Sequence, residues 1–473
     1  MIRTKIVCTI GPASRSPEML NRLVRAGMDV ARLNFSHGAR EEHGRVIADL
    51  RRISRRAGRP VAVLQDLAGP KIRIGPIRSG PVFLKPGASF ILTARKVPGD
   101  ARSVSINYPS MISQVRKGDT LLLSDGALEL EVVAVTGHDI RCRVVIGGPL
   151  SSFKGINLPA RSLGMYCLTP KDRDDLLFGL QNDVDYVALS FVRNAGDVAA
   201  LRRHMKRCGG DVPVIAKIEK HEAVENMDAI VAAADGIMVA RGDLGVETPL
   251  EKIPQVQKTL IRKSREAGKP VITATQMLRS MIDSPRPTRA EVSDVANAIL
   301  DGTDAVMLSE ETAVGKFPVE AVSMMVRIAR EAERRSPDAA GQRPEDVPGP
   351  IPGSLPCAVA CAATRLAADI GAAAVITFTQ SGGTARLVSR CRPEVPILAH
   401  TPLEKKRRQL ALSWGVIPVL GKKMAATDEM IAAALKAALK TGLVRINQTV
   451  VITAGVPPGV PGTTNLIKVE RVK

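Results

Sequence analysis

Eight short runs rich in β-branched and apolar residues recur along this chain, and that recurrence limits its possible folds more than any other feature. The runs are TKIVCTI (4–10), DVARLNFS (29–36), VAVLQDL (61–67), DYVALSFV (185–192), VPVIAKIE (212–219), GIMVAR (236–241), PVITATQ (270–276) and DAVMLS (304–309). Amphipathic segments such as SPEMLNRLVRAG (16–27) and IPQVQKTLIRKSREAG (253–268) lie between most of them, with apolar residues at helical spacing. Strands alternating with helices pair in parallel, and eight such units predict an α/β fold, a closed (β/α)8 TIM barrel.

The rhythm breaks once. Residues 70–167, between the third and fourth runs, read as short strands with turn signals: PVFLKPGASFILTA, TLLLSDGALELEVVAVTG and HDIRCRVVIGG. The expectation is a β-barrel lid inserted between barrel segments 1–69 and 168–337. In such a barrel the loop after a strand opens on the catalytic face, where an inserted unit can close over substrate. SPDAAGQRPEDVPGPIPG (336–353) is rich in Pro and Gly and predicts a linker over 338–353. A smaller α/β domain is expected over 354–473, from helix-like LPCAVACAATRLAADIG through AAVITFTQ, SGGTARLVSR and PILAH to a last strand TVVITAG (449–455).

With 473 residues, 45% of them hydrophobic, the chain can build large cores. No window reaches the ~18 uninterrupted apolar residues of a membrane span. The opening MIRTKIVCTIGPAS enters a strand-like run without a leader's apolar region, so a cytoplasmic location and no membrane partner are expected. Seven cysteines stand singly with no CxxC pair, which favours reduced thiols over a disulfide framework or a zinc site. The net charge of +20 fits a solvated basic surface, small polyanionic substrates or nucleic acid. Aromatics at 3% leave few stacking platforms for single strands, and nucleic acid is not expected.

In a (β/α)8 enzyme the chemistry sits at the C-terminal ends of the strands. Here those ends carry Arg32, Asn34 and Ser36; Asp66; Lys217 and Glu219; Gly242 and Asp243; Thr275; Ser309 and Glu311. Alternation along the fifth run places Ile215, Lys217 and Glu219 on one face, so the two charged residues continue an inward-facing row into the mouth. Glu219 and Asp243 end successive strands, and two carboxylates with open positions suit Mg²⁺. Arg32, Arg73 and Lys217 add cations suited to phosphate oxygens. Cations and a divalent ion around a dry pocket point to phosphoryl transfer. No GxxxxGK[ST] loop occurs, so a P-loop does not hold the nucleotide.

These residues sit in runs that closely resemble pyruvate kinase: TKIVCTIGPAS (4–14), ARLNFSHG (31–38), GPKIR (69–73), KGINLP (154–159), AKIE (216–219), GIMVARGDLGVE (236–247), KPVITATQML (269–278), PRPTRAEVSDVANAILDGTDAVMLS (285–309) and GTTNLIKV (462–469). The resemblance runs in order through nearly the whole chain. It implies transfer of the phosphoryl group of phosphoenolpyruvate to ADP, giving pyruvate and ATP, the last step of glycolysis. It implies Mg²⁺ (or Mn²⁺) on Glu219 and Asp243, and Lys217 as electrostatic stabiliser of the phosphoryl group in flight. It makes Arg32 a substrate-phosphate contact, and Gly242, Asp243 and Thr275 the cradle of the substrate carboxylate, Thr275 standing close to the enolate. Asn34, Phe35, Ser36, His37, Arg73 and Lys154 become nucleotide contacts. A homotetramer is the family's usual assembly.

Two places need separate treatment. Many members bind K⁺ through the equivalents of Asn34, Ser36, Asp66 and the carbonyl of Leu67. The potassium-dependent ones generally carry a glutamate at the position of Lys71 and a threonine at that of Leu67. An ammonium placed near Asp66 would supply the missing charge, so Lys71 is expected to replace K⁺. In the C-terminal domain, Thr379, Ser381, Gly382, Gly383 and Thr384 resemble the family's effector-phosphate loop, and a phosphorylated effector is implied. Another Mg²⁺-dependent barrel enzyme of phosphoenolpyruvate or pyruvate, and a non-catalytic RNA-binding role, are the competing readings. ADP dependence separates the first, and salt-sensitive RNA retention would reveal the second.

Overall fold

The computed structural model describes residues 2–78, 80–158, 166–334, 348–424, 426–457, 460 and 462–473. All eight expected runs form strands: Lys5–Ile10, Val30–Asn34, Ala62–Asp66, Tyr186–Leu189, Val214–Ile218, Gly236–Ala240, Val271–Ala274 and Ala305–Leu308. They are called barrel strands one to eight below. They close into one parallel barrel in which strand one pairs with both strand two and strand eight.

The helices between them follow local rules. Ser16 caps helix Pro17–Ala26 by accepting the Met19 N–H, with Pro17 at its first turn. The helix ends at Gly27, whose φ of +133° and 2.5 Å approach of an added Cβ to Val326 leave room for no side chain. Thr169 with Asp172, and Thr288 with Glu291, form capping boxes that start helices Pro170–Gln181 and Arg289–Leu300.

Two apolar layers result. Outward residues of the strands pack on the helices, among them Ile6, Leu33, Val63, Val187, Val214 and Val239. Inward residues fill the barrel, including Val30, Leu64, Tyr186, Ile215, Met238 and Ile272, together with Ala411 and Leu412 from the C-terminal unit. The floor is thus plugged by a different part of the chain. Tyr186 Oη donates to the Gln409 carbonyl at 2.7 Å, and Lys5 Nζ to that of Val416 at 2.8 Å.

An aspartate stands directly before each even strand: Asp29, Asp185, Asp235 and Asp304. Each accepts a backbone N–H from an odd strand, that of Ile6 (2.9 Å), Val63 (2.8 Å), Val214 (2.8 Å) or Val271 (2.9 Å). Each also meets a guanidinium: Arg59 at 2.7 Å, Arg51 and Arg408 at 2.9 and 2.8 Å, Arg202 at 2.6 Å, and Arg392 at 3.0 Å. Arg408 and Arg392 come from the C-terminal unit, so the ring fastens barrel to neighbour.

The insertion after strand three is a six-stranded sheet plus a two-stranded ribbon around one core that includes Phe90, Leu92, Leu121, Leu130 and Ile140. Its edge strands are Ile156–Asn157 and Ser103–Ser105. Between them runs the entering chain, where Arg73 bridges Gly155 and Ile74 bridges Ile106. The expected β-barrel is therefore closed through this short segment.

The predicted linker lies outside the described residues over 338–347. Beyond it, helices flank a five-stranded sheet in the order Val416–Leu420, Ile397–Thr401, Val375–Phe378, Thr449–Gly455, Thr464–Arg471. Thr449–Gly455 was the expected last strand. The structure adds Thr464–Arg471, antiparallel to it, and Val416–Leu420. Both additions are edge strands, and Pro418 fits only an edge.

Candidate active site

The inward rows of the strands turn polar at their C-terminal ends. Two residues past Val30, Leu64, Ala188 and Ile215 stand Arg32, Asp66, Ser190 and Lys217. The alternation expected for Ile215, Lys217 and Glu219 holds. Lys217 is 8% exposed, and its ammonium lies 2.8 Å from Glu219 Oε1, 3.2 Å from Asp66 Oδ1 and 2.7 Å from Ser190 Oγ. Asp66 Oδ2 takes Arg32 Nε at 2.6 Å, and Arg32 Nη1 donates to Thr9 Oγ1 at 2.9 Å. Glu219 Oε2 accepts the Phe191 N–H at 2.7 Å.

Burial opposes the charges of Lys217, Asp66 and Glu219, and their neighbours offset it unequally. Burial alone would lower the Lys217 pKa, but the Asp66 and Glu219 carboxylates outweigh it and hold the ammonium above its ordinary value. Burial would raise Asp66; the charges of Lys217 and Arg32 reverse that and hold it below the usual carboxylate range. For Glu219 burial wins. Its pKa is raised, with Lys217 pulling against the shift and the Asp243 charge adding to it.

That last effect bears on a metal. Glu219 and Asp243 are near enough to repel, and ammonium groups balance them: Lys217 on Glu219, and Lys71 on Asp243 at 3.4 Å. Two hard oxygen donors in mutual repulsion suit a divalent ion that keeps other positions for water and substrate. Among the described residues no group of three or more His, Cys, Asp and Glu competes for it.

The cradle forms at strands six and seven. Thr275 and Gln276 both have left-handed backbones, φ +71° and +55°, a conformation non-glycine residues hold only under constraint. Arg241 is the constraint: its guanidinium donates to the carbonyls of Thr275 (2.8 Å) and Ala274 (3.3 Å) and pairs with Asp294 (2.7 Å). Thr275 Oγ1 accepts the Gly242 N–H at 2.7 Å and donates to the Ala274 carbonyl at 2.6 Å. Glu311 is buried and accepts the N–H groups of Leu278 and Ser309 at 3.0 and 2.7 Å. Glu310 is exposed, and nothing in the structure explains its carboxylate.

The residues expected around a nucleotide divide. His37 feels Arg73, Lys71, Arg32 and Lys171, and partial burial with these cations lowers its pKa. Those groups therefore form one electropositive region between lid and barrel. Arg73 Nη1 donates to the Phe153 carbonyl at 2.9 Å, next to exposed Lys154. Asn34 Oδ1 is taken by the Ser36 N–H at 3.1 Å. The Phe35 ring is buried and stacked on His43 at 4.3 Å, while its N–H goes to the Asp66 carbonyl and its carbonyl to Lys171. Phe35 has a core environment.

The expectation that Lys71 stands near Asp66 is not met. Its ammonium lies 3.4 Å from Asp243 and 3.9 Å from Asp125. The Asp66 carboxylate is surrounded by Arg32 and Lys217, and the Leu67 carbonyl accepts Ser190 Oγ at 2.7 Å. Lys71 enters with the lid segment, and its chain carries the charge across the mouth toward strand six.

Residues that were not singled out from sequence also shape the site: Thr9, Ser190, Arg241 and a lid fastening. In the fastening, Glu247 Oε1 receives Asn157 Nδ2 of the lid at 3.0 Å and Lys220 Nζ at 2.7 Å. Inward parity would have pointed to Ser190 and, two residues past inward Val7, to Thr9. The others depend on long-range placement.

In the C-terminal unit the expected effector loop borders a cavity lined by residues that include Thr379, Ser381, Gly383, Thr384, Lys422 and Lys423. Its hydroxyls are engaged locally: Thr379 Oγ1 accepts the Gly382 N–H at 2.9 Å, Ser381 Oγ that of Gly383 at 3.3 Å, and Thr384 meets Thr464 at 2.7 Å.

A lidded (β/α)8 barrel with a buried lysine–carboxylate cluster at its mouth defines an enzyme for an anionic substrate. Residues 1–322 match the pyruvate kinase barrel-domain family and residues 357–470 the pyruvate kinase alpha/beta-domain family. The chain is 44% identical over 475 residues to the pyruvate kinase of Clostridium acetobutylicum, covering 100% of both proteins. It is 47% identical to that of Mycobacterium intracellulare, covering 99% of this chain and 98% of the relative. It superposes on the crystal structure of a pyruvate kinase from Cryptosporidium parvum with a TM-score of 0.92 at 38% identity, covering 100% of this chain and 96% of that one. The chain belongs to the pyruvate kinase family and is a phosphotransferase.

Proposed function

We infer that this enzyme moves the phosphoryl group of phosphoenolpyruvate to ADP, with a divalent ion, Mg²⁺, held by Glu219 and Asp243. The observation that carries the reading is the Lys217 ammonium, kept charged at 8% exposure between Asp66 and Glu219. In a water-poor site a fixed cation acts strongly on charge that develops there. Lys217 and Arg32 stabilise the phosphoryl oxygens, Asp66 orienting both. The Gly242 and Asp243 amides, with Thr275, bind the substrate carboxylate. A carboxylate accepting the Gly242 N–H releases Thr275 Oγ1 from that bond, so that the hydroxyl, whose remaining bond goes to the Ala274 carbonyl, can exchange that acceptor for the enolate and help deliver its proton. The bound ion supplies positive charge to substrate oxygens. Arg73, Lys154 and the loop from Asn34 through Ser36 to His37 hold the nucleotide.

The same reading divides the chain into barrel (1–69 and 168–337), lid (70–167), linker (338–353) and C-terminal unit (354–473), and gives it a homotetrameric, cytoplasmic form. A phosphorylated effector would occupy the C-terminal cavity, with Lys422 and Lys423 as its cations. No described helix is long and apolar enough to cross a membrane. Activity without K⁺ remains part of the proposal on a changed basis: Lys71 brings a fixed cation to Asp243 rather than filling the oxygen set around Asp66.

The test is pyruvate formation from phosphoenolpyruvate, ADP and Mg²⁺, coupled to lactate dehydrogenase, with K⁺ present or replaced at constant ionic strength. ADP-dependent rates in both arms support the whole reading. A roughly tenfold or larger fall without K⁺ keeps the reaction and overturns K⁺ independence. No ADP-dependent pyruvate in either arm overturns the function.

A further inference from the structure

Three cysteines gather far from the barrel mouth. Cys357 and Cys361 lie one turn apart on helix Leu355–Asp369, and Cys391 directly follows helix Gly383–Arg390. Cys361 Sγ stands 3.1 Å from Cys391 Sγ, and both are free thiols. Arg390 reaches into the cluster, Nη1 lying 3.7 Å from Cys357 Sγ and 4.0 Å from Cys361 Sγ. The same guanidinium donates to the carbonyls of Glu266 on a barrel helix (3.1 Å), Pro348 (3.1 Å) and Gly349 (2.9 Å). The hydrogen bond between the two sulfurs and the charge of Arg390 lower the Cys361 pKa, while that hydrogen bond and burial raise that of Cys391. The two sulfurs are thus unlike. Cys361 is partly exposed beside a fixed cation, and Cys391 is 4% exposed.

We propose that Cys361 and Cys391 are a redox-active dithiol that reacts with hydroperoxides, Cys361 attacking and Cys391 resolving. The Cys361 thiolate attacks one peroxide oxygen; the O–O bond breaks, and the other oxygen leaves as water or an alcohol after taking a proton. Cys361 is then a sulfenic acid. The Cys391 sulfur attacks the Cys361 sulfur; the S–S bond forms, the S–O bond breaks, and hydroxide leaves as water with the Cys391 proton. Two thiols lose two electrons, and these reduce the peroxide. Cys357 is the poorer partner. It shares a helix with Cys361, and its sulfur accepts the Ile351 N–H at 3.3 Å.

The test treats the full-length enzyme with hydrogen peroxide, alkylates the remaining thiols under denaturing conditions, and maps the peptides by mass. The expected result is a Cys361–Cys391 cross-link, reversed by dithiothreitol, that forms roughly tenfold faster than oxidation of the other partly exposed thiol, Cys208. Cys391→Ser should leave Cys361 as a sulfenic acid that dimedone traps. Cys361→Ser should leave Cys391 unmodified. Unchanged basal activity shows that each variant is folded, and Cys391→Ala serves where the serine variant fails that check. Preferential oxidation of Cys208, a Cys357–Cys361 link, or no dimedone adduct in a folded Cys391 variant would overturn the proposal.

Discussion

The two ends of the barrel use the same residue types for opposite purposes. At the floor, each aspartate before an even strand has a backbone N–H and at least one guanidinium on its carboxylate. The arginines there are spent on the fold. At the mouth, Asp66 is paired with both Arg32 and Lys217, but Glu219 has only a share of that same ammonium, Asp243 has only the more distant Lys71, and Glu219 and Asp243 press on each other. Completed pairs hold elements together; pairs left short of positive charge wait for a ligand. A buried charge shows function when its partners leave its field uncancelled, and burial alone does not separate the two ends.

That contrast can be broken first at Lys217. Replacing it with Met should cut kcat by about 10²–10³-fold or more, the scale of losing one fixed charge-stabilising group, in a steady-state coupled assay. A variant within tenfold of wild type would erase the functional meaning of the mouth. Asp185→Ala should do the reverse, costing about 3–5 kcal/mol of stability because it strands Arg51 and part of Arg408. Denaturant melts should register that loss while kcat per folded molecule stays near wild type; a large loss of kcat would merge the two ends. The smallest effect is in acid. The folded pKa of Asp66 lies below its ordinary 3.8, so its contribution is present above that value and is lost as pH falls through the lower folded one. Asp66→Asn should therefore flatten the acid limb of stability below about pH 4. An unchanged limb would mean that Lys217 and Arg32 do not hold that carboxylate ionised.

Much of this contrast was open to inspection in the sequence. The eight strands, their parity and the polar ends follow from local periodicity, and Lys217 and Glu219 fall where alternation puts them. The floor was visible too but unread: an aspartate precedes every second strand run, at 29, 185, 235 and 304, a repeat whose meaning appears only when the odd strands supply their N–H groups. Lys71 could not be placed, because a long side chain on an entering lid segment can reach either Asp66 or Asp243. Phe35 sits inside a polar run, and its burial and its stack on His43 mark it as core. Val416–Leu420 escaped as a strand because it is short and interrupted by Pro418, and Thr464–Arg471 because its TNLIKVER run is mixed in polarity.

Ala411 and Leu412 in the barrel's inner core, with Tyr186 bonded to the Gln409 carbonyl, carry a consequence for how the molecule comes apart. The barrel does not own its bottom. Pulling the C-terminal unit away would open an apolar shaft to water and strand Asp185 and Asp304 without Arg408 and Arg392. Barrel and C-terminal unit should therefore melt in one transition, and any motion between them must pivot around this stopper rather than withdraw it.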